Sequence, residues 1–164
     1  MGDSQSIAWS SLGHLLAEAA AIHGDHPLFL YEGERLSYTD FNQHVNRLAN
    51  VLLELGVGPG DRVSIMLPNG FAFPTAWFAL AKLGAVMVPT NTNYVEKDLH
   101  YILSDSGAKA IILDAEYVPR VQPVADQLPA LEHILVLGDA PAGTINLDDR
   151  MAGASESFTI GKVE

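Results

Sequence analysis

The chain has 164 residues, of which 48% are hydrophobic and 18% charged, a composition typical of a chain that packs a core. Its 20 acidic and 9 basic side chains give a net charge of −11. This balance opposes binding to nucleic acid, because phosphate contacts need clustered lysine and arginine. There is no cysteine, so disulfides and thiolate metal sites are excluded. With no basic leader and no apolar run of about 18–20 residues, we expect a cytoplasmic protein without a transmembrane segment.

The first third of the chain predicts a helix, a hairpin and a second helix. Apolar residues recur at helical spacing over residues 12–22. Two short β runs at 28–31 and 35–38 flank a Glu-Gly-Glu turn, the pattern of a hairpin. Ser37 and Asp40 then have the spacing of a capping box, and a helix with one apolar face follows them.

A glycine-rich turn ends that second helix and leads into a strand. Gly56 predicts the left-handed cap, and Pro59 prevents the helix from continuing. Residues 63–67 predict a buried strand, and Asn69 is expected to cap the next helix. That helix, over residues 71–83, is apolar nearly all round, which predicts burial on most sides.

Strands and helices keep alternating after residue 84. We expect a buried strand at 85–88, then strands at 109–113 and 134–137. Two polar caps are expected between them. Asn93 should form a capping box with Glu96, and Asp114 should cap a segment that Pro119 and Pro123 make irregular or split.

The fold class follows from these continuous apolar strands. Strands buried on both faces predict an α/β layered domain with a mostly parallel sheet, helices on both faces, right-handed crossovers and a short N-terminal hairpin. We place this domain at residues 1–137. Residues 138–164 are rich in Asp, Ala, Gly and Ser, and we expect a loop or partly disordered tail with a short strand at 145–147.

Few residues suggest chemistry. The glycines at 56–60 leave a helix and enter a strand, the reverse of a phosphate-binding loop, so they indicate a structural turn. His23 and His26 indicate a solvated loop rather than a metal site. Thr90 and Asn91 follow a predicted parallel strand, where ligand crevices of open α/β sheets lie, and are the candidate site-lining residues.

Seven pieces of the chain resemble, in order and spacing, the N-terminal part of the adenylate-forming acyl-CoA synthetases. They are LSYTDF at 36–41, NRLA at 46–49, LGVGPGDRV at 55–63, LPN at 67–69, KLGAV at 82–86, VPTN at 88–91, and YIL with DSGA at 101–108. The resemblance covers about residues 10–137 and implies an α/β subdomain of an AMP-binding enzyme. It also implies ATP-dependent activation of a carboxylic acid with Mg²⁺, through an acyl-adenylate that coenzyme A captures as a thioester.

The motifs that carry this family's chemistry are absent from the chain. They include a Ser/Thr- and Gly-rich phosphate loop and a catalytic lysine in a mobile C-terminal domain. We therefore assign no catalytic residue and no metal ligand, and expect an N-terminal fragment of an acid–CoA ligase that is inactive alone and binds no cofactor productively. By fold position, Thr90 and Asn91 lie toward the family's thiol-substrate side. The alternative is a stand-alone binding or interaction module on the same α/β core. A truncated domain is expected to expose apolar surface where the missing subdomain docked, and this surface would allow homo-oligomers.

Overall fold

Helices and strands alternate along residues 11–161, the part of the chain that the computed structural model describes. The helices are α1 (Leu12–His23), α2 (Tyr38–Glu54), α3 (Ala72–Leu83), α4 (Glu96–Ser106), α5 (Val118–Ala125) and α6 (Leu147–Ala152). The strands are β1 (Pro27–Tyr31), β2 (Glu34–Ser37), β3 (Arg62–Met66), β4 (Val86–Pro89), β5 (Ala110–Asp114), β6 (His133–Leu137) and β7 (Ile145–Asn146). The predicted helix–hairpin–helix start is confirmed, with β1 and β2 antiparallel.

Five strands form one parallel sheet in the order β4-β3-β5-β6-β7. In the middle of this sheet, Val63 of β3 lies between Met87 of β4 and Ala110 of β5. Residues 63–66 of β3 are all buried. Such a strand needs cover on both faces of the sheet, and the predicted fold class is confirmed.

The two faces of the sheet carry two separate cores. In β5, Ala110 and Ile112 pack into the cluster covered by α1, α2, α3 and α6. Their neighbours Ile111 and Leu113 point the other way, into the cluster covered by α4 and α5. This alternation follows from the two-residue period of a strand. Along residues 11–161, no helix combines the length and apolar character needed to cross a membrane.

The edge strand β4 departs from the prediction of a buried strand. Val86 is 48% exposed and Pro89 is exposed as well. The reason is that, among the described residues, β4 pairs with β3 alone and no strand lies on its outer side. The apolar run that suggests burial is therefore partly solvent-facing in this chain.

Two predicted asparagine caps are wrong. The residue before α3 is Phe71, which makes no side-chain cap, so Asn69 lies too early to serve it. The residue before α4 is Val95, whose N–H donates to Asp98 Oδ2 at 3.4 Å. Asn93 instead donates its backbone N–H to the side chain of Asn91 at 2.9 Å, in a local turn that competes with capping.

Other local predictions are confirmed. Ser37 accepts the N–H of Asp40 at 3.0 Å and starts α2. Gly56 has φ +78° after the last turn of α2, as a left-handed cap requires. Asp114 accepts the N–H of Glu116, and the segment beyond it splits into a 3₁₀ turn at Ala115–Tyr117 and the separate helix α5.

The segment after residue 137 is more ordered than expected. It contains the predicted short strand, as β7, and also the helix α6, which the sequence analysis missed. Asn146 caps α6 by accepting the N–H of Asp149 at 2.9 Å. Leu147 is buried and Phe158 packs against the first core, so the described part of this segment belongs to the packed structure. The domain boundary at residue 137 stays a prediction.

Candidate functional site

The carboxyl edge of the parallel sheet is where the sequence predicts a ligand crevice. The residues that leave this edge are Leu67 after β3, Thr90 after β4, Ala115 after β5, Gly138 after β6 and Leu147 after β7. Both predicted site residues, Thr90 and Asn91, lie in the segment that leaves β4. Their side chains, however, have different surroundings.

Thr90 is turned into the protein and is only 5% exposed. Its Oγ1 lies 2.6 Å from Ser64 Oγ, itself fully buried in β3, and 3.3 Å from the carbonyl oxygen of Val88. Its backbone N–H donates to Ile65 O at 3.0 Å, extending the ladder between β3 and β4. In this conformation the Thr90 hydroxyl therefore joins two strands.

Asn91 is exposed and organises the loop that follows. Its Oδ1 accepts the N–H of Asn93 at 2.9 Å, and its carbonyl accepts the N–H of Tyr94 at 3.1 Å. Arg120 of α5 secures the same loop, donating from Nη1 to Thr92 O at 2.7 Å and to Tyr94 O at 3.1 Å. The loop is thus held on two sides, with the Asn91 side chain at its surface.

Arg120 is itself placed by an aromatic ring. Its guanidinium carbon lies 4.7 Å from the ring centre of Tyr117, within cation–π range. A hydrogen bond to Glu116, together with burial, raises the pKa of the Tyr117 hydroxyl above its ordinary value. Tyr117 therefore stays neutral at physiological pH and acts here as a platform for Arg120.

An apolar cavity of about 200 Å³ opens at the same edge, between α2, α3 and α6. Leu67, Ile112 and Leu137 form its floor. Two of its polar side chains are already paired, since Thr75 Oγ1 donates to Phe71 O at 2.7 Å and Asp148 Oδ2 accepts the N–H of Gly138 at 2.8 Å. The cavity offers an apolar wall rather than an acid–base pair.

The glycine turn at residues 56–60 lies at the opposite, amino edge of the sheet, as a structural turn. Asp61 Oδ2 accepts the N–H of Gly58 at 2.9 Å and pairs with Lys109 Nζ at 3.2 Å, while Lys109 also donates to Gly56 O at 2.7 Å. The Gly58 N–H and then Lys109 hold the pKa of Asp61 below its usual value. A fixed carboxylate at this turn opposes phosphate binding. Asp61 thus anchors the turn, with Lys109 as its ion-pair partner.

Neither the histidines nor the aromatic residues of α3 form a metal or ligand site within residues 11–161. Within residues 11–161, no group of three or more His, Asp or Glu side chains is placed to hold a metal ion. His23 is exposed and its ring lies 4.8 Å from that of Tyr38. Phe78 packs edge-on against Phe41 with ring centres 5.5 Å apart, as core, whereas Trp77 is 41% exposed.

Sequence reasoning missed a buried polar network centred on Lys82. This lysine of α3 is 3% exposed, and its Nζ donates to Asn42 Oδ1 and Asn46 Oδ1, each at 2.6 Å. Burial lowers the pKa of Lys82 to about 8. The signal present in the sequence was one lysine inside an apolar helix, together with two asparagines four residues apart on another helix.

The fold is shared by solved acyl-CoA ligases. The inhibitor-bound N-terminal domain of FACL13 from Mycobacterium tuberculosis matches 94% of this chain over 38% of its own, with 30% sequence identity and a TM-score of 0.82. The anthranilate CoA ligase AuaEII, in complex with anthranoyl-AMP, matches 98% of this chain over 31% of its own, with 24% identity and a TM-score of 0.88. The second likeness shows the fold alone.

Sequence comparison gives the same result. The crotonobetaine/carnitine–CoA ligase of Salmonella typhimurium is 30% identical over 139 residues, which are 81% of this chain and 27% of that protein. The chain thus spans about a quarter of the length of the curated relatives it matches. Residues 16–158 match the AMP-binding enzyme family. Together with the parallel α/β fold, this match shows that the chain belongs to the AMP-binding enzyme family.

Proposed function

We propose that this chain is the N-terminal part of an ATP-dependent acid–CoA ligase. The observation that carries the proposal is the family match over residues 16–158, with relatives that are themselves CoA ligases. In the proposed reaction a carboxylate oxygen attacks the α-phosphorus of ATP, and pyrophosphate leaves. The sulfur of coenzyme A then attacks the acyl carbonyl carbon, and AMP leaves as the thioester forms.

We propose that the chain alone does not catalyse this reaction and that ATP, Mg²⁺ and coenzyme A are held mainly by other parts of the protein. Two features support this. The described residues include no candidate metal cluster, and Thr90 at the carboxyl edge is engaged in an internal hydrogen bond. The described residues therefore do not fit a magnesium site.

The experiment is acid-dependent exchange of labelled pyrophosphate into ATP. The 164-residue chain and the longest protein encoded in frame with it are each assayed with fatty and aromatic acids, and omission of acid is the control. We expect exchange from the longer protein and none from the chain alone. Exchange by the 164-residue chain alone would refute its proposed inactivity. If the longer protein shows no exchange with any of the acids, the proposed ligase function is refuted.

We propose Asn91 ahead of Thr90 as a residue that faces the thiol substrate. Asn91 is exposed at the carboxyl edge, whereas Thr90 is buried against Ser64. In the longer protein, Asn91→Ala should raise the KM for coenzyme A and leave acid-dependent pyrophosphate exchange unchanged. An unaltered KM for coenzyme A would contradict the proposed contact between Asn91 and the thiol substrate.

A homo-oligomer, or a stand-alone interaction module, is the second candidate. It is favoured by the large exposed apolar side chains Ile22 (76% exposed), Leu30 (78%), Trp77 (41%) and Val86 (48%). Light scattering tests this association, since a monodisperse monomer that binds no hydrophobic dye would contradict association through these surfaces.

The absence of cysteine fits a reducing compartment, and we propose a cytoplasmic location on that ground.

A further inference from the structure

The polar face of α2 holds the chain after α6 by its backbone. Asn46 Nδ2 donates to the carbonyl of Glu156 at 2.7 Å. Asn50 Nδ2 donates to the carbonyls of Ser155 and Ser157, each at 2.9 Å. Arg47 Nη1 reaches the carbonyls at 151 and 152, and Arg47 Nη2 pairs with the Glu156 carboxylate. We call Asn46, Arg47 and Asn50 the α2 clamp.

Nearly all acceptors of the α2 clamp are main-chain carbonyls, so the clamp determines the path of the segment largely independently of its side chains. The segment needs such support because residues 153–161 form no helix or strand that would satisfy their backbone groups. Ala154 and Phe158 pack against the first core on either side of the clamped carbonyls. The result is a defined path at 155–157.

Lys82 determines the orientation of the Asn46 amide in the α2 clamp. Its ammonium group has donors only, so the oxygen of the Asn46 amide faces Lys82 and the nitrogen faces Glu156. Helix α1 closes over Lys82 so tightly that a Cβ on Gly13 would lie 2.8 Å from Lys82 Cγ. Asn42 is the second partner of Lys82, yet it makes no hydrogen bond to the segment at 151–157. Only Asn46 connects the buried lysine to that segment.

We propose that Lys82 and the α2 clamp are positioning residues that determine where the chain leaves the α/β core at residues 155–157. The inference rests on the proposed function, because the residues beyond would then belong to the part of the ligase that binds ATP and acid. An error in the direction of departure would misplace those groups, and small displacements are costly to a reaction that depends on orientation.

The clamp itself is tested by glutamyl endopeptidase, which cleaves after glutamate. The peptide bond cleaved after Glu156 contains the same carbonyl group that accepts the hydrogen bond from Asn46. Cleavage after Glu32, which is exposed in the hairpin turn, serves as the internal reference. Loss of the 2.7 Å bond should speed cleavage after Glu156 in Asn46→Ala by about tenfold relative to cleavage after Glu32. Lys82→Met should act in the same direction.

Asn42→Ala is the matched control, since it removes the other 2.6 Å partner of Lys82 from the same helix. We expect its cleavage ratio to stay within about twofold of the wild-type ratio. Equal ratios in Asn46→Ala and Asn42→Ala would overturn the clamp. If Asn46→Ala does not unfold cooperatively in urea, Asn50→Ala replaces it, because Asn50 lies nearer the surface.

The positioning role is tested in the longest protein encoded in frame, by acid-dependent pyrophosphate exchange. We expect kcat to fall about tenfold in Asn46→Ala and Asn50→Ala at an unchanged KM for ATP, and to stay within about twofold in Asn42→Ala. Full kcat in a variant whose Glu156 site is released, or equal losses in all three variants, would overturn the role. If the wild-type protein shows no exchange, the proposed ligase function is refuted, and the positioning role with it. The ratio of cleavage after Glu156 to cleavage after Glu32 would still test the α2 clamp.

Discussion

The buried ammonium of Lys82 should make the stability of this fold rise with alkaline pH. Burial lowers the pKa of Lys82 from 10.5 to about 8, and its two hydrogen-bond partners are neutral amides. Between these two pKa values the unfolded chain holds a proton that the folded protein has released, so the free energy of unfolding increases with pH. From pH 7 to pH 10 the gain amounts to about 2.5 kcal/mol, because one pKa unit corresponds to about 1.4 kcal/mol.

The measurement is urea unfolding, followed by circular dichroism at pH 7, 8, 9 and 10, of the wild type and of Lys82→Met. The quantity of interest is the difference between the two proteins, since other groups that titrate in this range cancel in it. That difference should grow in favour of the wild type as pH rises. Lys97→Met removes an exposed lysine and should keep the wild-type rise. A difference that stays flat from pH 7 to pH 10 would refute the reasoning.

Three further predictions test the core and the glycine turn by denaturant unfolding. Ile112→Ala empties a fully buried position and should cost about 2–5 kcal/mol, and a loss below about 1 kcal/mol would contradict its place in the core. Gly56→Ala should lower the free energy of unfolding by about 1 kcal/mol, because φ at this position is +78°. Gly58→Ala should lower it by less than about 0.5 kcal/mol, because φ is not positive and an added Cβ meets open space. Equal losses in the two variants would contradict the left-handed cap at Gly56. Asp61 has a lowered pKa, so its stabilisation is present above the unfolded pKa of 3.8 and is lost as pH falls through the folded value. The free energy of unfolding should therefore fall more in the wild type than in Asp61→Asn between pH 5 and pH 3. An equal fall in the two proteins would contradict this role of Asp61.

Local features of the fold were predictable where one short stretch of sequence contains the whole interaction. Ser37 and Asp40 are three residues apart, and their capping bond forms as expected. Asn93 failed as a cap because α4 begins at Glu96, with Val95 as the residue before it, and Asn93 belongs to the preceding turn, where its N–H donates to Asn91. The helix α6 was missed because its six residues are too few to show a helical period and two of them are aspartates.

The candidate site was predictable in position and less so in detail. Strand direction alone predicted that Thr90 and Asn91 lie at the carboxyl edge of the sheet, and they do follow β4 there; that this edge binds a ligand stays a prediction. Strand direction could not tell that Thr90 turns inward, because its partner Ser64 is 26 residues away and reaches it only through the pairing of β3 with β4. The partners of Lys82 likewise could not be predicted, because Asn42 and Asn46 reach it only when α2 packs against α3.

By itself, the sequence determined the fold class, most helix and strand positions and the family resemblance, because apolar period, glycine turns and short motifs are local properties of a chain. The tertiary structure alone decided which strand lies at the edge, where the Thr90 hydroxyl points, and that α2 binds the backbone at residues 155–157. These features depend on contacts between residues that are from 26 to 110 positions apart. Such contacts exist only after the sheet and its helices have packed together.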